Sequence, residues 1–198
     1  GPDKSLALLQ THLEKNHPVE CFRAFRKSDN DLPDLEQLEK CAVAVFFTRR
    51  LTIDGDQLRM VKNYLASGKP VVGIRTASHG FQNYLEMDKE VFGGDYKNHH
   101  GNNLKCEIQV VEERKTHPIL KGVESYIGHG SLYKNADIAK DCTVLMTGGI
   151  EKFTYPVAWT REIKGRRVFY TSLGHQDDFK EESFLKLLTN AVLWAAGN

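Results

Sequence analysis

PVVGIRTASHGF, Pro70 to Phe81, is an apolar run that breaks without transition into a polar turn. Val71–Ile74 is too short for a buried helix and apolar at every position, the pattern of a strand covered on both faces. Arg75, Thr76, Ala77, Ser78, His79 and Gly80 follow. In many α/β enzymes such a turn carries the nucleophile, and no cysteine stands here. Upstream, Ile53 to Gly68 reads as a helix, with Asp54 as its N-cap and Gly68 as its C-terminal glycine. Ahead of that helix lies another apolar β run, AVAVFFT, Ala42 to Thr48. Strand, helix and strand at these lengths make a βαβ unit with parallel strands and a right-handed crossover.

Working outward, SLALLQTHLEKN carries Leu6, Leu9 and Leu13 at helical spacing. Val19–Phe25 reads as a short strand, Leu35–Cys41 as a short helix and Phe81–Gly94 as a further helix. From Lys105 the chain turns β-rich, with strands expected in KCEIQVVEE, ESYIGHG, CTVLMTGG, YPVAWTREI and RRVFYTSLG. A last helix, Glu181 to Gly197, has the stripe Phe184, Leu187, Leu188, Ala191, Leu193 and Trp194. Repeats, low-complexity tracts and an interdomain linker are all missing, so residues 1–198 read as a single α/β domain.

A formal net charge of +1 over 198 residues gives no field for a polyanion. Nucleic acid and anionic membrane are therefore not expected partners. Cys21, Cys41, Cys106 and Cys142 form no CxxC pair, and Cys41 and Cys142 read as small core residues. No apolar run is long enough to span a membrane. The chain opens directly in a helix, and Gly1-Pro2 reads as a cloning remnant, which leaves a preceding leader or first strand open. The compartment, cytoplasmic or exported, stays open with it. No exposed apolar stripe declares a homodimer, although small α/β domains commonly form one.

In open parallel sheets ligands bind beyond the carboxyl ends of the strands. Two apolar strands end in histidine-bearing turns, VVGIR-TASHG and VFYTSLG-HQDD. These bring Arg75, Ser78, His79, His175, Gln176 and Asp177 to one crevice. The pair His99-His100, flanked by glycine and asparagine, reads as a loop at its rim, together with His129. Three chemistries fit these residues. Ser78 or Thr76 could act as a nucleophile activated by His175 and Asp177. His99, His100, His129 or His175 could hold a divalent metal with Asp95 or Asp177, although no HxxxH or HxH spacing supports it. His175 could work as a general acid and base on a sugar. Against these, Ser78 suits a helix cap, His117 before Pro118 suits a turn, and Trp159 and Trp194 suit the core. Arg75 after a buried strand requires an anion, whether Asp95, Glu86 or Asp177, or a ligand carboxylate, phosphate or polarised oxygen.

The segments KPVVGIRTASHGF, THPILKGV, YPVAWTREIKGRRVFYTSLGHQDD and NAVLWAAGN together resemble the trehalose-utilisation, or ThuA-like, family. The similarity is read over about residues 35–198 and is strongest from Tyr155 to His175. It implies a flavodoxin-like, class I glutamine amidotransferase-like fold: a three-layer sandwich on a mostly parallel central sheet. The amidotransferase elbow G-[IV]-C-x-G laid on GIRTAS places Arg75 at the cysteine position, so the resemblance implies no thiol glutaminase. It maps the late histidine onto His175 and its acid onto Asp177. The elbow arginine stands where histidine is frequent in the family, and HGSLYKN replaces a more acidic segment. The resemblance implies a role in trehalose or related disaccharide metabolism, through keto-sugars. The site expected on these grounds has His175, Asp177 and Ser78 as catalytic candidates and Arg75, His79, His99, His100 and His129 as contacts to a sugar. A non-catalytic sugar-binding module and a metal-dependent hydrolase are the alternatives.

Overall fold

A computed structural model describes residues 1–198. Seven strands form one sheet: β1 (Ala44–Phe46), β2 (Val71–Ile74), β3 (His99–Val110), β4 (Tyr126–Tyr133), β5 (Thr143–Ile150), β6 (Phe153–Ile163) and β7 (Arg166–Thr171). Their spatial order is β1-β2-β7-β6-β5-β3-β4. Three helices flank it, α1 (Pro2–Asn16), α2 (Gly55–Ala66) and α3 (Glu182–Ala196).

The fully apolar β2 is buried on both faces, as its composition requires. Val72 and Ile74 pack into one core with Leu9 and Leu13 of α1 and Phe184, Leu187 and Ala191 of α3. Val71 points the other way, into a core with Val61, Tyr64 and Leu65 of α2. Alternation along the strand thus feeds two cores, and each fully buried aliphatic side chain contributes roughly 1.5–3 kcal/mol. Gly73 leaves space for an aromatic pair, since a Cβ there would lie 2.4 Å from Phe92 and 2.9 Å from Tyr170.

The expectation of a mostly parallel sheet needs correction. Only β1–β2 and β2–β7 are parallel, and β7–β6, β6–β5, β5–β3 and β3–β4 are antiparallel. For β6–β7 and β5–β6 the cause lies in the connections. Lys164 and Gly165, both at positive φ (51° and 78°), turn β6 into β7, the geometry of a tight hairpin. Glu151 and Lys152 turn β5 into β6 as briefly. Links this short can only reverse a strand. The sheet also curls, so that β4, last in its order, returns to the carboxyl end of β2.

Other expectations shift as well. Val19–Phe25 forms no strand; its Cys21 N–H bonds the Glu14 carboxylate at 2.9 Å. An apolar groove of about 540 Å³ separates this segment and α1 from the open edge of β1, with Leu6, Leu9, Val43 and Val45 among its walls. Leu35–Glu39 is a 3-10 turn. Phe81–Gly94 is a succession of turns ending in a five-residue π-helix, Asp88–Phe92. Arg161 holds that π-helix, donating to the carbonyls of Lys89, Glu90 and Val91 and to Asp141 at 2.7 Å. His99-His100 is no loop but the start of β3, which bulges between His100 and Leu104. Cys41 and Cys142 are half-buried, and Cys106 is the buried thiol.

Candidate functional site

The three parallel strands β1, β2 and β7 end side by side, and the turns after them frame a polar cleft of about 390 Å³. Arg49 and Arg50 follow β1, Arg75 to His79 follow β2, and Gly174, His175 and Gln176 follow β7. The far wall comes from Tyr96, His99, Asn102, Ser131 and Tyr133. This is the position at which open α/β sheets take ligands.

Arg75 occupies the elbow itself with φ +49°. The turn is held by its carbonyl, which accepts the Tyr170 hydroxyl at 2.7 Å and the Ser78 hydroxyl at 3.3 Å. Its guanidinium lies 5.5 Å from the Tyr133 ring centre, and Nη2 donates to Ser131 Oγ at 3.1 Å. The Nη1 atom is buried and has no partner. None of the three expected acids pairs with it: Asp95 takes Lys97 at 3.2 Å and Asp177 takes Lys180 at 2.6 Å, and Glu86 bonds neither.

His79 stacks on Tyr96 at 4.3 Å and places Nδ1 3.0 Å from Ser78 Oγ. Burial, then the charges of Arg50, His99, Arg49 and Arg75, lower its pKa to about 4. At neutral pH it is an uncharged imidazole. His99 bonds the Gly101 carbonyl through Nδ1 at 2.8 Å and joins the cleft wall.

His175 meets Asp177 in two ways. Its Nδ1 accepts the Asp177 N–H at 3.3 Å and lies 3.5 Å from the Asp177 carboxylate. The first contact suits the tautomer with the proton on Nε2, the second the tautomer with it on Nδ1. Both forms therefore find a partner, and Nε2 is free to donate or to accept. The backbone of this turn is pinned by Asp178, a fully buried carboxylate. It accepts N–H groups from Gly174 and His175 at 2.9 Å and from His129 at 2.8 Å. Burial raises the Asp178 pKa despite those bonds and the nearby Arg75. The β4 backbone comes so close that a Cβ on Gly130 would sit 3.0 Å from Arg75 Nη2 and 3.1 Å from His175 Cβ.

The cleft thus gathers Arg75, His79, His99 and His175, with Asp177 behind His175. It does not gather the others. Ser78 is 3% exposed, with its hydroxyl turned into the elbow. His100 stacks on Phe153 at 4.5 Å and faces the Tyr155 hydroxyl at 3.4 Å. His129, its ring 6.4 Å from that of His175, turns toward Glu181 at 3.6 Å. His117 caps a turn, accepting the Ile119 N–H. No three His, Cys, Asp or Glu side chains are grouped to hold a metal ion, so the proposed donors do not fit one. Sequence reasoning passed over Arg49, Arg50, Tyr96, Ser131 and Tyr133. The two arginines follow the apolar run AVAVFFT, and the rule that found Arg75 and His175 would have found them. The other three reach the cleft through the curl of the sheet, which leaves no local signal.

The architecture is an α/β fold on a mixed, curled seven-stranded sheet, with an arginine at the elbow. The sequence matches the ThuA family, described as trehalose utilisation, over residues 3–195, and the chain belongs to that family. The match reaches further toward the amino terminus than the motifs alone suggested. A thua-like protein from Parabacteroides merdae superposes with TM-score 0.72 at 18% identity, over 97% of this chain and 84% of that one. A second, from Bacteroides uniformis, gives TM-score 0.64 at 18% identity, over 81% and 71%. A beta-galactosidase from Bacillus circulans gives TM-score 0.54 at 16% identity, over 77% of this chain and 22% of that one. At these identities the likeness is one of fold. No curated protein matches the sequence.

Proposed function

We propose that this ThuA-family protein processes a sugar or keto-sugar in the cleft beyond β1, β2 and β7, by acid–base chemistry without a thiol intermediate. One observation carries the reading: His175 lines a polar cleft with Nε2 free, and both of its tautomers have a partner at Asp177. An imidazole so held can take a proton from a substrate carbon or hydroxyl and return it to an oxygen. Arg75, fixed by Ser131, stands where an alkoxide or enolate oxygen would develop and stabilises that charge. The aromatic faces of His79, Tyr96 and Tyr133 offer flat walls to the apolar side of a sugar ring. Ser78 takes no part in this scheme, because its hydroxyl is buried.

The test is product formation from trehalose and from keto-disaccharides, followed by NMR, for the wild type and His175→Gln. The expected loss in the variant is about 10²–10⁴-fold in turnover with unchanged thermal unfolding. Equal turnover by the two proteins overturns the acid–base role. Sugar binding by both with no product from either assigns the cleft to a binding module, the reading that an arginine in place of a nucleophile also favours.

A further inference from the structure

We infer that the ligand of this cleft is anionic, a sugar carrying a carboxylate or phosphate group that Arg49 and Arg50 hold at the mouth, with Arg75 adding its charge from the cleft floor. The inference rests on the sugar reading above for the body of the ligand and on the following observations for its charge.

Three guanidinium groups line one 390 Å³ cleft, and no Asp or Glu side chain lines it with them. Elsewhere on the chain four of the seven arginines are neutralised by an acid, and Arg23, Arg114 and Arg166 are not. Arg26 pairs with Asp29, Arg59 with Asp56, Arg161 with Asp141 and Arg167 with Glu162. The three cleft arginines have no such partner. On a protein whose formal net charge is only +1, this is a local concentration of charge, not a general basic surface. The buried carboxylate of Asp178, behind the turn that carries His175, spends its oxygens on three backbone N–H groups.

The backbone adds a second, independent observation. Arg50 and Arg75 are both left-handed, at φ +52° and +49°. A branched or long side chain in that region costs on the order of 1 kcal/mol or more. Each arginine sits at the turn that ends a parallel strand, so the strain falls at the two places that aim a guanidinium across the carboxyl edge of the sheet. Arg75 also keeps Nη1 buried without an acceptor, an unsatisfied charged donor beside the cleft. Guanidinium forks match carboxylate and phosphate oxygens in pairs. Burial first, and the charges of Arg50, Arg49 and Arg75 after it, hold the His79 pKa down. Arg75 is deep and fixed, whereas Arg49 and Arg50 are exposed at the mouth. The anionic end therefore lies toward the mouth between β1 and β2, and the neutral hydroxylated remainder of the ligand extends to His175.

The experiment is calorimetric titration of the full chain with glucose, trehalose, gluconate, glucose 6-phosphate and inorganic phosphate, at low and at 0.5 M salt. The expected result is that gluconate or glucose 6-phosphate binds at least about tenfold tighter than glucose, with the margin shrinking in high salt. Whichever of the two binds identifies the group as carboxylate or phosphate. The double variant Arg49→Gln, Arg50→Asn is expected to lose that margin. Neither side chain makes a bond in the fold, and Asn tolerates a left-handed position, so its unfolding temperature should hold. Neutral sugars binding as tightly as their anionic counterparts overturn the inference and leave the sugar reading standing. Inorganic phosphate binding as tightly as glucose 6-phosphate upholds the anion site and overturns the sugar reading. No binding by any of the five overturns both.

Discussion

Arg75 Nη2 donates to Ser131 Oγ at 3.1 Å, across 56 residues and from the turn after β2 to the strand at the other end of the sheet order. Through this bond the curl of the sheet closes on the arginine of the elbow after β2. Removing the hydroxyl with Ser131→Ala leaves a half-buried guanidinium short of an acceptor. The expected cost is about 1–3 kcal/mol of unfolding free energy in urea, with weaker ligand binding. A variant with unchanged stability and affinity would show that the bond positions nothing.

Gly130 lets the two strands meet. Its φ of +95° and the 3.0 Å and 3.1 Å approaches to Arg75 Nη2 and His175 Cβ make a methyl group there both strained and crowded. Gly130→Ala should cost about 1–3 kcal/mol and displace both cleft residues. Equilibrium unfolding together with ligand titration measures the two effects.

Arg161 is 8% exposed and spends its guanidinium on three carbonyls of the π-helix and on Asp141. Arg161→Ala strands those carbonyls and should lower stability by about 1–3 kcal/mol. The loss should be global in denaturant melts, because Phe92 of the same π-helix packs on Tyr170 of β7 at 5.1 Å.

Two groups, the buried Asp88 and the half-buried His79, titrate with opposite signs in the same acid window. Burial, against a bond from the Tyr96 N–H, raises the Asp88 carboxyl from 3.8 to about 6. The folded state then holds more protons than the unfolded, and stability falls as pH rises from about 4 to 6. His79, lowered from 6.5 to about 4, binds fewer protons when folded, so its contribution rises with pH over about the same range. Asp178 acts in the sense of Asp88, and His117 in the sense of His79. Asp88→Asn removes one side of this balance. The difference in unfolding free energy between variant and wild type should grow in the variant's favour by up to about 3 kcal/mol between pH 4 and pH 7. A constant difference across that range would show that Asp88 ionises normally.

Much of the parallel half was legible because its signals are local. The apolar runs at Ala42–Thr48 and Val71–Ile74, the caps of α2 and the stripe of α3 each need only a few neighbouring residues to be read. Arg75 and His175 met in one cleft because both follow strands of the same parallel set. What escaped reading depends on distance. The reversals from β5 to β6 and from β6 to β7 follow from two-residue turns, whose tightness composition only hints at. Val19–Phe25 has the composition of a strand, but no neighbouring strand bonds to it. His99-His100 carries loop residues around it yet pairs with β4 at Tyr133 and Leu132. Ser131 and Tyr133 enter the site solely through the curl, which no short window of sequence records.

The central claim is that one cleft, holding His79, His99 and His175, is where the ligand sits. Imidazole resonances of the full chain, followed by two-dimensional NMR during titration with gluconate, glucose 6-phosphate and trehalose, test it directly. The expected result is that His79, His99 and His175 move together on saturation, while His12, His17, His100 and His117 stay in place. Movement confined to that second group would contradict the account, as would binding detected by calorimetry with the three cleft histidines unmoved.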